Sequence, residues 1–73
     1  MKTIRYAIVI EKAKRNYAAY VPDLPGCIAI GKTIAETKHL ILGAIELHLR
    51  GMREDGLPIP DPESQVEYVD IPA

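Results

Sequence analysis

Residues 21–27, Val-Pro-Asp-Leu-Pro-Gly-Cys, constrain the fold of this chain more than any other segment. Pro22 and Pro25 fix φ at about −65° and cannot donate a hydrogen bond to a sheet, so a strand has to end at Pro22. Gly26 allows a backbone conformation that residues with a Cβ atom avoid. The segment is therefore predicted to form a stiff, wide connection between two strands. Because a stiff exposed loop loses little entropy on binding, it favours a binding module over an enzyme.

Chain length and charge narrow the classes of function. The 73 residues are predicted to form one domain, residues 1–73, with a single hydrophobic core. A net charge of −1 disfavours direct binding of nucleic acid, because a DNA- or RNA-binding domain of this size normally carries an excess of basic residues. The sequence shows no signal peptide, no apolar stretch that could span a membrane, and one cysteine, Cys27. These features predict a cytoplasmic protein without disulfide bonds.

Apolar periodicity predicts the order of the secondary structure. Four segments have the alternation or the apolar content of a half-buried strand. They are residues 3–11, 16–21, 27–31 and 65–71. A helix is predicted over residues 34–54, because Thr33 and Glu36 have the spacing of a capping box and Gly56 is placed to end the helix in the left-handed conformation. The predicted fold is α+β: a three-stranded antiparallel meander, one long helix on one face, and a fourth strand beside the first in a mixed sheet.

The predicted helix has an apolar surface about twice as wide as a surface helix normally needs. One stripe suits packing on the sheet and contains Ile34, Ile41, Leu42, Ile45, Leu49 and Met52. A second stripe lies beside it and contains Leu40, Ala44, Leu47 and Gly51, with His48 at its border. Four strands cannot cover both stripes. The second one is therefore predicted to contact another copy of the chain in a homodimer or homotetramer.

The residue types that carry catalysis are scattered along the chain. His39 and His48 fall on opposite sides of the predicted helix, so one chain cannot hold a metal ion between them. Asp23 is expected either to stabilise its own turn or to contact a partner. A weaker hypothesis is a metal-dependent ribonuclease that uses Glu11, Asp23 and Asp70. The sequence predicts no catalytic residue, no metal site and no cofactor.

The stretch from residue 17 to residue 36 carries a specific combination of residues. It reads Tyr-Ala-Ala-Tyr-Val-Pro-Asp-Leu-Pro-Gly-Cys from Tyr17 to Cys27, and Gly31, Thr33 and Glu36 follow. The alternating first strand and the helix end Glu-Asp-Gly, followed by Pro-Ile-Pro over residues 58–60, extend the pattern over essentially the whole chain. This combination resembles the N-terminal domain of HicB-type antitoxins.

The resemblance implies a partial ribonuclease-H-like fold without a catalytic centre. It also implies that the protein binds and neutralises a small basic HicA-type toxin, an mRNA-cleaving ribonuclease, by covering its active surface. The residues expected to bind the partner are Tyr20, Asp23 and Leu24. The residues expected to frame the loop and the helix start are Pro22, Pro25, Gly26, Gly31, Thr33 and Glu36.

Two points qualify the expected role. Many members of the family carry a C-terminal DNA-binding segment, whereas this sequence ends at Ala73, so DNA binding by this chain is not expected. The alternative function is a stand-alone oligomeric interaction module that binds a small ligand or an unrelated protein and has no toxin partner.

Overall fold

Three antiparallel strands and one long helix build the computed structural model, which describes residues 3–73. The first two residues of the predicted domain lie outside this range. The elements are β1 (Val9–Lys12), β2 (Tyr17–Tyr20), β3 (Ile28–Gly31) and α1 (Ile34–Glu54). The sheet has the order β1-β2-β3, and both neighbouring pairs are antiparallel. The predicted α+β class, the meander and the helix bounds are confirmed.

Helix α1 covers one face of the sheet. Ile10, Ala19 and Ala29 lie opposite one another in the strand register and therefore share a face. Ile41 and Leu49 of α1 are buried in one cluster with Ala19, against which Ile10 and Ala29 pack. The helix packs chiefly on β3 and β2 and least on β1. The sheet consequently covers α1 least on the side of β1.

The helix begins with the predicted capping box. The Oγ1 atom of Thr33 accepts a hydrogen bond from the backbone N–H of Glu36 at 3.0 Å. The Glu36 carboxylate in turn accepts from the backbone N–H of Lys32 at 3.2 Å, one residue earlier than in the usual box. Thr33 and Glu36 therefore satisfy amides that the first helical turn leaves without partners.

The helix ends at Glu54, and Gly56 adopts the left-handed conformation just beyond it, as the sequence predicts. Gly56 has a φ of 71°, and its N–H donates to the carbonyl of Arg53 at 3.1 Å. The N–H of Leu57 donates to the carbonyl of Met52 at 2.8 Å. These two bonds form a Schellman motif, which needs a left-handed residue and so favours glycine at this position.

Thr37 and Gly31 make a close contact that the sequence did not reveal. Thr37 is fully buried, and its hydroxyl donates to the carbonyl of Thr33 at 2.7 Å. A Cβ atom added at Gly31 would lie 2.5 Å from the Oγ1 atom and 2.9 Å from the backbone nitrogen of Thr37. Only glycine therefore fits where the end of β3 passes the first turn of the helix.

We expect Gly31→Ala to lower the free energy of unfolding by about 2–3 kcal/mol, since backbone or buried atoms have to move to accept the new methyl group. Gly43→Ala is the matched control, because nothing lies within 4 Å of a Cβ atom added there. The control should raise stability by up to about 1 kcal/mol through helix propensity. Urea unfolding followed by circular dichroism measures both effects. Equal stability of the two variants would contradict the close contact.

The first strand is shorter than predicted. Pairing begins at Val9, which lies opposite Tyr20, the last residue of β2. Pro22 follows two residues later and cannot continue the ladder. Residues 3–8 are therefore left without a partner strand, and the prediction of a strand over residues 3–11 is wrong for its first part.

The fourth strand predicted at residues 65–71 does not form. The structure shows neither helix nor strand over residues 57–73, and Tyr68 is 92% exposed. The hydrogen bonds of Asp23 hold residues 63 and 64 beside the loop, and the residues after them pair with no strand. The radius of gyration of 14.0 Å reflects this extended segment. A compact chain of this length would have about 11 Å.

Candidate partner-binding surface

The loop between β2 and β3 consists of two consecutive turns. The N–H of Leu24 donates to the carbonyl of Val21 at 3.0 Å, and the N–H of Cys27 donates to the carbonyl of Leu24 at 3.1 Å. A third bond, from the N–H of Val21 to the carbonyl of Cys27, closes the base at 3.3 Å. Pro25 and Gly26, which has a φ of 84°, occupy the central positions of the second turn in the manner of a type II turn. The loop is thus closed by its own backbone.

The loop points its apolar side chains inward and its prolines outward. Leu24 is 1% exposed and belongs to the core, so its side chain is not available to a partner in this conformation. Pro22 and Pro25 are exposed and form the outer surface of the loop. Cys27 is buried, and burial raises the pKa of its thiol. A protonated buried thiol is a poor nucleophile, which gives Cys27 a structural role.

Asp23 connects the loop to the C-terminal segment. Its carboxylate accepts hydrogen bonds from the backbone N–H of Glu63 at 3.2 Å and of Ser64 at 3.1 Å, and from the Ser64 hydroxyl at 2.9 Å. Nearby, the hydroxyl of Tyr6 donates to the carbonyl of Pro60 at 2.5 Å. The interpretation that Asp23 stabilises its own turn is therefore wrong. Asp23 instead holds residues 63 and 64.

The bond from the Ser64 backbone N–H lowers the pKa of the Asp23 carboxyl group below its ordinary value of 3.8. A carboxyl group whose pKa is lower in the folded chain stabilises the fold above its unfolded pKa, and this contribution disappears as the pH falls through the folded pKa. We expect the attachment of residues 63 and 64 to weaken below about pH 4. The amide signals of Ser64 and Glu63 in an NMR titration would show the release.

Asp23→Ala should release the same amides at neutral pH, with faster hydrogen exchange at both positions. Asp70→Ala is the matched control, since Asp70 makes none of the side-chain hydrogen bonds found within residues 3–73. Unchanged exchange at Ser64 in Asp23→Ala would contradict the proposed attachment.

The face of the sheet opposite the helix is largely apolar and uncovered. Val9, Tyr20 and Ile28 lie opposite one another in one row, and Ala18 and Ile30 follow in the next, which the exposed carboxylate of Glu11 borders on β1. Ile28 is 64% exposed and Ile30 is 59% exposed. We call the five residues of these two rows, without Glu11, the outer sheet face. On this face, the predicted partner-binding residue Tyr20 lies next to Ile28 and near Ile30. The sequence predicts these two isoleucines as strand residues but not as binding residues.

The second helix stripe is also partly exposed. Leu40 is 41% exposed and Leu47 is 66% exposed, whereas Ala44, His48 and Gly51 are half-buried. Nothing described in the chain lies within 4 Å of a Cβ atom added at Gly51. The first stripe behaves as predicted at Ile41, Ile45, Leu49 and Met52, which are buried or partly buried, but Ile34 and Leu42 are exposed.

The carboxylates of the weaker ribonuclease hypothesis are not brought together. Across residues 3–73, no three His, Cys, Asp or Glu side chains are placed to hold one metal ion, so Glu11, Asp23 and Asp70 do not converge. Among residues 3–73, no helix is both long enough and apolar enough to cross a membrane.

Comparison with known proteins identifies the family of this chain. The sequence model of one family, the HicB-like antitoxins of bacterial toxin-antitoxin systems, matches residues 6–73. The chain therefore belongs to the HicB-like antitoxin family. A solved structure, that of the HicA3 and HicB3 toxin-antitoxin complex, contains a chain that matches with a TM-score of 0.70 and 30% identity, over 82% of this chain and 70% of that one.

Similar sequences come from a phage, a bacterium and an archaeon. A 14.9 kDa protein of the rep-hol intergenic region of Haemophilus phage HP1 is 37% identical over 92% of this chain and 50% of its own length. A UPF0150 protein of Helicobacter pylori is 45% identical over 67% of this chain and 68% of its own length. Another UPF0150 protein, from Archaeoglobus fulgidus, is 41% identical over 73% of this chain and 81% of its own length. The match thus spans only half the length of the phage relative.

Proposed function

We propose that this protein is an antitoxin that binds a small basic HicA-type toxin and neutralises it by covering the active surface, without catalysing a reaction itself. The observation that carries the proposal is the similarity to a chain of the HicA3 and HicB3 complex, at 30% identity and a TM-score of 0.70. Family membership over residues 6–73 supports the same role. The proposed place of action is the cytoplasm, where the Cys27 thiol stays reduced.

The outer sheet face is the proposed toxin-binding surface. Tyr20, Ile28 and Ile30 form a contiguous apolar area that the helix does not cover, and the cores of protein–protein interfaces are enriched in such residues. Pro22 and Pro25 lie in the closed loop that adjoins this face after Tyr20. A backbone-closed loop loses little conformational freedom when a partner binds. The outer sheet face therefore supplies apolar contact area, and the loop with the two prolines loses little conformational entropy when the partner binds.

Direct binding of nucleic acid is not part of the proposed role. The chain carries a net charge of −1, and the proposed contact surface is apolar. An apolar surface lacks the cations that neutralise the phosphates of nucleic acid. The protein is instead proposed to prevent RNA cleavage by binding the toxin.

We also propose that the protein self-associates through the second helix stripe. Leu40 and Leu47 are the exposed apolar residues of the stripe, and a second copy related by two-fold symmetry would bury both. The proposal also retains the partial ribonuclease-H-like topology, of which the three-stranded sheet and the helix are present.

The proposed function is tested by finding whether a small basic protein is encoded next to this gene and by co-expressing the two. The full chain, tagged at one end, should retain the neighbour in a pull-down, and adding the full chain should stop RNA cleavage by that neighbour. Failure to form a complex with a neighbour that is an active ribonuclease would overturn the proposal. An isolated gene with no such neighbour would favour the stand-alone interaction module.

A further inference from the structure

A groove runs along the poorly covered side of α1, next to the segment that precedes β1. It has a volume of about 700 Å³ and lies between residues 4–8 and the helix. Its apolar lining includes Ile4, Ile8, Ile41, Leu42 and Ile45. Its charged and polar lining includes the basic side chains of Arg5 and Lys38, together with His39 and Tyr6. We call it the β1-side groove.

Residues 3–8, which line this groove, lead directly into the edge strand β1 and have no partner strand. β1 has a strand neighbour on one side only, because the sheet order is β1-β2-β3. Within residues 3–73, the backbone of residues 3–7 makes no hydrogen bond to other backbone groups. An open edge presents free N–H and C=O groups to which another extended segment can add. The groove and the edge together have the form of a site for one strand.

The C-terminal segment has the properties that this site requires. Val66, Tyr68, Val69 and Ile71 are exposed apolar residues, and Val69 is 79% exposed. Residues 61–73 contain four acidic residues and no lysine, arginine or histidine. An acidic and apolar segment thus complements a groove with an apolar floor and a basic rim. The helix residues that line the groove span about 15 Å, and six extended residues reach about 17–20 Å.

The segment does not enter the groove of its own chain. Asp23, in the loop that continues from β2, holds Ser64, so the segment starts on the β2 side of residues 5–7. The open edge of β1 lies on the opposite side. To reach it, the same chain would have to cross residues 5–7. A second copy can offer its edge without this crossing.

We propose that residues 66–71 of one copy add as a strand to the open edge of residues 3–8 in a second copy, and that the second copy returns the same contact. With the two-residue period of a strand, Val69 and Ile71 fill the β1-side groove, and Glu67 lies at its basic rim. Val66 and Tyr68 then face the opposite side and enlarge the outer sheet face. The reciprocal contact closes about a two-fold axis.

A disulfide cross-linking experiment distinguishes exchange between copies from folding within one copy. Untagged Leu42→Cys protein is mixed with tagged Val69→Cys protein and oxidised with glutathione. The native Cys27 is buried and is common to every sample. We expect a tagged–untagged cross-link about tenfold more abundant than in the matched control, because binding raises the effective concentration of the two thiols. The control replaces Leu42→Cys with Ile28→Cys, an exposed position on the outer sheet face.

Two results would overturn the exchange. One is a cross-link no more abundant than that of the Ile28→Cys control. The other is a double variant, Leu42→Cys with Val69→Cys, that forms only intrachain disulfides at the same total concentration. The toxin pull-down does not depend on either result. The proposed strand exchange and the proposed antitoxin function can therefore be refuted independently of each other.

Light scattering supplies a second readout. Val69→Asp combined with Ile71→Asp should halve the mass of the assembly and leave the helical circular dichroism signal unchanged, because both residues lie outside the core and outside α1. Tyr68→Ser is the matched control on the other face of the proposed strand and should keep the wild-type mass. Retention of the wild-type mass by the double aspartate variant would contradict the proposed exchange.

Discussion

Ile28→Lys should reduce toxin binding by about 100-fold or more without unfolding the free protein. The Ile28 side chain is 64% exposed, so a lysine at this position remains hydrated in the unbound chain. In the proposed complex the same ammonium group would be buried against a basic partner, and burial of an unpaired charge costs several kcal/mol. About 2.7 kcal/mol corresponds to the 100-fold loss. Titration calorimetry with the purified toxin measures the affinity.

The matched control is Leu57→Lys. Leu57 is also an exposed aliphatic residue, at 52%, but it follows the helix end and does not belong to the outer sheet face. Its affinity for the toxin should stay within about threefold of the wild type, as expected for a change outside the interface. Equal losses in the two variants would place the toxin elsewhere, and an unchanged affinity in Ile28→Lys would remove the outer sheet face from the proposal.

Local signals in the sequence were sufficient to predict the helix and its ends. Thr33 and Glu36 form a capping box, and Gly56 adopts the left-handed conformation, because both devices act within a few residues of backbone. The double turn of the loop follows for the same reason, since Pro25 and Gly26 decide its geometry locally. Short-range chemistry therefore predicts the part of the fold that adjoins the proposed toxin surface.

Contacts between distant residues could not be predicted in this way. Asp23 binds the backbone of Glu63 and Ser64, which lie 40 and 41 positions later in the chain. Nothing in the sequence around Asp23 indicates these partners. Residues 65–71 likewise form no strand, although their apolar content is typical of one. A pattern shows that a segment can form a strand, but the presence of a free edge beside it decides whether it does.

The direction of the β3 side chains illustrates an ambiguity of strand periodicity. Ile28 and Ile30 are the largest residues of the strand and would be expected in the core. The structure instead turns Cys27, Ala29 and Gly31 toward the helix. The close approach of Thr37 requires a small residue at position 31, on the helix side of the strand. With the two-residue period of a strand, Ile28 and Ile30 then lie on the outer sheet face.

Leu47→Glu should split the assembly at the second helix stripe. Leu47 is 66% exposed and lies in the middle of the stripe, so two glutamates would meet near the proposed two-fold axis. Each carboxylate would lose its hydration without gaining a partner, a cost of several kcal/mol for the pair. Because the site is exposed in the single chain, the variant should fold normally. Light scattering at tens of micromolar should show half the wild-type mass.

The two proposed contacts between copies make the mass measurements decisive. The helix stripe and the strand exchange involve different faces, so together they predict a wild-type tetramer, and each set of substitutions alone should leave a dimer. Leu47→Glu combined with Val69→Asp and Ile71→Asp should give a monomer, because well-separated contacts contribute independently. Glu46→Gln, next to Leu47 on the charged side of the helix, is the control that should leave the mass unchanged. A wild-type monomer at these concentrations would contradict both contacts. The exposed stripe would then be expected to bind a different protein, and the toxin is the first candidate. Weaker binding of the toxin to Leu47→Glu than to the wild type would identify it.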